Sequence, residues 1–588
     1  MRKPALAFVL IAALSPALMT SRASGQDWNP FDLFGGSEKK QAAPEKQSQP
    51  EAERGPDTIV PSPQDSKGRA VERTDLSPVM AADGSGLPFE LWRGLDVATF
   101  ERIIAEIEIP PRSPALHALW LRLITSDVTP PQGGETDQQF MALRLETLYR
   151  SGLLEEASRE LAKMPAGTGL VATLAARNEI GLGRKDEGCA TAQRAGAPPA
   201  DMPRHLKGQT AIIAGYCAAI TGDAAGAGLA AELAREEGVK DSAGVAALDA
   251  ISVHATPTIA ANQQVSLLDY RLVEAAGGKI DAPAILKQAA PSLLAALALD
   301  PKTQPGLKLP AAEAAAQVNA IAPDELAEIY RAHASDAGEA AGPNTAERRA
   351  QLFVAAQAER TPQKKVRLIR SFLDESRRAD LYLGALRMMA PAGDGIVPVP
   401  EIGWYAETGI EIALAAGDYE KARSWATFGS SLGGPGEGSL SHWLALIDIA
   451  DSETAGDRGA SLQHVEELAV RGRLDPTLLH RIATVLDALE YHVPIPLWEA
   501  ASRTPQPSGG YLPETGVLSE LQDAAKKREF GRTVLLVMKT LGANGAEGAH
   551  MIAFGDSIRA LKRAGLEPDA RRLGFEALFA SWPRAIVN

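Results

Sequence analysis

Aromatic side chains are scarce, at 5% of 588 residues. An all-β sandwich needs aromatic and β-branched residues to fill a pleated face, and a platform for single-stranded nucleic acid needs rings on which bases stack, so this scarcity argues against both. Long apolar runs are also missing beyond the first 25 residues. The best of them, 211–220 and 291–299, reach about half of the roughly 20 residues that cross a bilayer, and they read as buried helix segments. Nine histidines are scattered with no i, i+4 pair and no HExxH, so neither a metal nor a cofactor is expected. Positive charge is in deficit as well. The formal net charge is −14, and it becomes −17 on loss of residues 1–25, which carry Arg2, Lys3 and Arg22 and no acid. Such a chain is a poor partner for nucleic acid or an anionic membrane.

The first segment has a basic start, an apolar stretch over 4–19 and small residues at 21–25, the pattern of a secretory signal peptide cleaved after Ala23 or Gly25. A periplasmic protein with no membrane span after cleavage is the expectation. Residues 26–86 are rich in Gly, Pro, Ser, Gln, Glu and Lys and lack the apolar surface to offset ordering, so they read as a disordered linker. Near its start, Trp28, Phe31 and Phe34 put three aromatics within seven residues, a candidate docking motif for a partner. Cys189 and Cys217 are the only cysteines. In an oxidising compartment the expectation is that they join; the other reading is two separate buried thiols.

From residue 87 onward the apolar spacing is helical, as in Phe140, Leu143 and Leu148, or Leu368, Ile369 and Phe372. Prolines at 110–111, 130–131, 198–199, 310, 323, 398 and 400 punctuate short helices, and roughly one residue in six is alanine. Four sites share a glycine followed five residues later by alanine: Gly152 and Ala157, Gly222 and Ala227, Gly417 and Ala422, Gly565 and Ala570. The glycine is suited to ending one helix in the left-handed conformation, and the alanine to opening the next where two helices come close. Weaker copies start at Gly183 and Gly531. The glycine spacings of 31, 39 and 34 bracket the 34-residue period of one repeat family.

The segment GDYEKA, 417–422, resembles the turn of a tetratricopeptide repeat, and the other sites resemble degenerate copies. The chain as a whole is similar to the exported, alanine-rich helical proteins of Gram-negative bacteria, a resemblance that implies no activity. The repeat resemblance implies an all-α fold, an α-solenoid of helical hairpins. Repeat blocks are expected over 87–240 and 401–588, with irregular hairpins over 241–400.

Motifs for catalysis fail on context. GSSLG at 429–433 matches G-x-S-x-G, but a nucleophile elbow follows a strand, and here a helix precedes; the segment reads as a loop. Ser37 and Lys40, the one S-x-x-K, lie in the linker, and Gly181 and Gly183 lack the third glycine of a dinucleotide fingerprint. From Thr515 onward there are 11 basic and 8 acidic side chains, a less acidic end than the rest, read as a solvated face. The expected function is a non-enzymatic scaffold or adaptor, binding an unknown protein or envelope component through its helical surface. The alternatives are an enzyme acting on a cell-envelope polymer and a purely structural envelope protein.

Overall fold

A computed structural model describes residues 91–584, except 127–130, 132, 134–138, 165–168, 201, 241, 259–264, 279–281, 335–341, 433–439 and 453–457. The leader, the linker and Trp28, Phe31 and Phe34 lie outside the described residues. Among those described, every regular element is a helix, 28 of them α-helices, and an isolated β-bridge joins Tyr511 and Ala549. No described helix is long and apolar enough to cross a membrane.

Consecutive helices join through one recurring turn. Gly152, Gly183, Gly222, Gly417 and Gly565 all take φ between +77° and +92°. In each, the glycine N–H donates to the carbonyl three residues back and the next N–H to the carbonyl five back, as in Gly417 to Leu414 and Asp418 to Ala413. This satisfies carbonyls that the helix end leaves without partners. At Gly417 nothing lies within 4 Å of where a Cβ would sit, so the backbone angle alone requires glycine. Ala157, Ala227, Ala422 and Ala570 are buried in the first turn of the following helices. Gly531 does a different job from the one its spacing suggests. It lies inside helix Phe530–Leu541; the positive-φ turn is at Arg528, and a Cβ on Gly531 would come within 2.5 Å of the Leu91 carbonyl oxygen.

Helices Gln139–Arg150, Pro291–Leu299, Pro305–Gln317, Pro323–His333, Tyr382–Gly393, Ala406–Ala416, Trp443–Ala450, Glu567–Phe579 and Pro114–Thr125 touch in that order, and the last touches the first. The circuit is therefore closed. One continuous hydrophobic cluster runs through it and uses most of the aromatics: Trp92 with Phe100 and Phe140, Tyr330 with Phe353 and Phe372, Trp443 with Phe579 and Trp582. Helices Leu170–Gly181 through Leu267–Ala275 leave the circuit and enclose a second cluster around Ile180, Ile213, Leu248 and Leu272. Arg271 donates to the Gly181 carbonyl within the lobe and ties the lobe back by pairing with Asp300 at 2.8 Å.

Cys189 and Cys217 form a disulfide inside that lobe, joining helix Lys185–Ala195 to helix Arg204–Thr221 across a sequence separation of 28. Restricting a loop of that size in the unfolded chain is worth about 3–4 kcal/mol in the chain-entropy account. Replacing both cysteines with serine is expected to remove that much from the urea unfolding free energy and to place the first protease cuts within 170–275. An unchanged midpoint and cut pattern would show that the lobe's packing suffices without the bond.

Candidate functional site

The circuit closes where the first described helices meet the last. Helix Pro114–Thr125 turns Leu116, Leu119, Trp120 and Leu123 into the core and leaves His117, Ala118 and Arg122 half-buried on another face. Helix Glu567–Phe579 carries Asp569, Arg572 and Glu576 at i, i+3 and i+7, a polar stripe beside the Glu567 and Arg571 pair. The two stripes meet. Arg122 pairs with Asp569, the Ala115 N–H donates to Glu576 Oε2 at 2.7 Å, and nearby Lys539 pairs with Glu106. Asn319 adds two donations from its side chain, to the carbonyls of Pro111 and Arg112, both at 2.8 Å.

Beside this seam lies an open cavity of about 410 Å³. Its polar lining comes from Glu106, Glu108, Lys539, Asn544 and Tyr511, and its apolar lining includes Ile107, Leu116 and Met538. Tyr511 is fixed by its backbone, its N–H donating to Gly548 and its carbonyl accepting from His550, while its ring covers Gly542 and stays half-exposed.

Arg387, on helix Tyr382–Gly393, is exposed, and its Nε donates to the Ala415 carbonyl at 3.1 Å. His117 and Glu576 are both half-buried. Burial pushes the Glu576 carboxyl up to about 7, against the Ser113 hydroxyl, the Ala115 N–H and the Arg387 charge, which favour its ionised form. Burial, and then the charge of Arg387, push the His117 ring down to about 4.

The residues singled out from sequence lie elsewhere. Cys189 and Cys217 are in the side lobe, and the four glycine–alanine pairs build hairpin turns, Gly565 and Ala570 on the hairpin that carries Glu576. Ser431 is in helix Tyr419–Leu432, not in a loop, and its hydroxyl donates to the Phe428 carbonyl at 2.7 Å. The helix runs through Gly429 because Leu440 packs where a Cβ would be, so this glycine marks a close approach rather than a break. Trp425 is buried between Tyr405 and Phe428, over Gly409. Among the described residues no three His, Cys, Asp or Glu side chains are grouped to hold a metal. Sequence reasoning missed His117, Arg387 and Glu576. The polar stripe at 569, 572 and 576 is legible, but its partner stripe lies more than 440 residues earlier. No protein-family model, no curated protein and no solved structure matches the chain.

Proposed function

We propose that the chain is a non-enzymatic scaffold of the periplasm, a degenerate tetratricopeptide-like solenoid that holds a peptide segment of a protein partner. The observation that carries this reading is the cavity at the seam. Its volume falls within the usual range of ligand pockets, and its lining alternates carboxylates, an ammonium, an amide and a half-exposed ring with apolar side chains. An extended peptide presents the matching mixture of backbone polar groups and side chains. Hairpin stacking supplies such surfaces in helical-repeat proteins generally. The leader pattern, the acidic charge and the disulfide support an exported, stable support rather than a nucleic-acid or membrane binder.

The test compares three proteins expressed in the periplasm of the native host: the chain from Gln26, the same chain lacking 26–86, and Ala543→Trp. Ala543 is exposed and lines the cavity, so a tryptophan there fills it without entering the core. A partner recovered reproducibly with the first protein and lost with Ala543→Trp is the expected result. Loss with the deletion instead would assign the dock to Trp28, Phe31 and Phe34. Equal recovery with all three, or no partner with any, would overturn the reading.

A further inference from the structure

We infer that the chain's own segment 27–34 docks on a basic and apolar surface formed by residues 360–370 and 395–404, apart from the seam cavity. Helix Pro362–Arg378 buries Val366, Ile369, Phe372 and Leu373 and turns its opposite face to solvent. Over 360–370 the helix and the turn before it carry Arg360, Lys364, Lys365, Arg367 and Arg370 and no acid, in a chain whose net charge is −14. These side chains are exposed or half-buried, and water alone can serve each of them. Together they concentrate positive potential at one place on an acidic molecule. Several exposed arginines elsewhere take a carboxylate from their own helix or loop, as Arg112 does from Glu108, Arg159 from Glu156 and Arg235 from Glu232. On this helix Arg378 pairs with Glu375, and among the described residues none of the five forms an ion pair.

Apolar surface adjoins the charge. An open hollow of about 460 Å³ is lined by Arg360 and Lys365 together with Gly395 and Ile396. Glu359, the carboxylate in its lining, accepts from the N–H groups of Arg360 and Thr361 at 2.9 and 2.7 Å. From Ile396 the chain continues through Val397, 69% exposed, and Val399, 37% exposed, into the short helix Pro400–Tyr405. That helix packs on Pro362–Arg378 and presents Trp404, 38% exposed, with the Arg370 guanidinium 5.5 Å from its ring centre. Large apolar side chains left in water beside a cluster of cations mark an interaction site.

Charge and composition select the occupant. The complement of five cations and an exposed indole is an acidic segment that carries rings. Asp27, Trp28, Phe31, Asp32 and Phe34 supply two carboxylates and three rings within eight residues, and no base follows before Lys39. The 56 residues between Phe34 and Leu91 can span up to about 180 Å, so the tether reaches any face of the molecule. Tethering also presents the segment at up to about millimolar effective concentration, so a contact too weak to hold a free peptide is filled within one chain. The rings bring the contact area and the carboxylates fix the register.

The experiment is hydrogen exchange read by mass spectrometry on the full chain from Gln26. Exchange over 28–34 should be slowed about tenfold relative to an open chain, the protection of a segment docked nine-tenths of the time. The combined change Lys364→Glu, Arg367→Glu and Arg370→Glu should remove most of that protection, as should about 1 M sodium chloride, which screens charges beyond roughly 3 Å. Phe31→Ser with Phe34→Ser, which touches no described residue, should in turn speed exchange over 395–404 and leave the rest of the chain unchanged. Photolysis of the chain carrying Phe31→benzoylphenylalanine should link position 31 to 360–370 or 395–404 within one molecule. Exchange over 28–34 as fast as in an open chain, protection kept by the triple variant, links to the seam cavity or links between two copies would each overturn the inference.

Discussion

Glu576→Gln will expose a pH dependence of stability that the parent conceals. The Glu576 carboxyl rises from an ordinary 4.5 to about 7 on folding, so its contribution is fully present below pH 4.5 and is lost as pH rises through 7. His117 falls from 6.5 to about 4, so its contribution is present above pH 6.5 and is lost as pH falls through 4. Between pH 4.5 and 6.5 the two slopes are opposite and of similar size, about 1.4 kcal/mol per pH unit each at most, and they offset one another. Glu576→Gln leaves the histidine alone, and unfolding free energy relative to the parent should fall by about 2 kcal/mol from pH 6.5 to 4.5. His117→Gln leaves the carboxyl alone, and relative stability should fall as pH rises over the same interval. Urea titrations at four pH values measure both differences. Slopes of the same sign, or flat differences, would show that these two groups are as well solvated as in an open chain.

Glu313→Gln should be among the most damaging single changes in the molecule. Glu313 accepts from the Tyr330 hydroxyl at 2.6 Å and from Arg349 Nε at 2.7 Å, and all three side chains are buried. Burial, then the charge of Glu313, hold the Tyr330 phenol far above its usual range, so it stays a neutral donor. An amide in place of the carboxylate leaves the Arg349 cation enclosed with no counter-charge, a loss of about 3–5 kcal/mol. Replacing all three residues with apolar side chains of similar volume should recover most of it, because the desolvation cost disappears with the charges. Equilibrium urea unfolding of the single and triple variants tests this. A single variant within about 1 kcal/mol of the parent would mean that water reaches Arg349.

The contrast between these two clusters and the hairpin turns shows what a sequence can carry. Gly417 and Gly222 are legible because a left-handed helix end is a local event, determined by residues within five positions of each other. The same locality makes Gly531 and Gly429 misleading. Glycine also permits close approach, and the groups that approach, Leu91 and Leu440, lie at distances in sequence that no local pattern encodes. The disulfide could be placed because adjacent hairpins bring their ends together. Arg387 could not. It comes to act on His117 and Glu576 only through helices drawn from both ends of the chain.

The seam has a consequence for the order of events during synthesis. The Ala115 N–H and its acceptor Glu576 are separated by 461 residues. At 5–20 residues per second, the helix that carries Ala115 waits about 20–90 seconds before the helix that covers it exists. Over that interval part of the surface around Leu116, Leu119, Trp120 and Leu123 lacks its final cover. Unfinished chains are therefore the aggregation-prone species, and a truncation that removes only Glu567–Phe579 should cost solubility far from the cut, at the first helices to have been made.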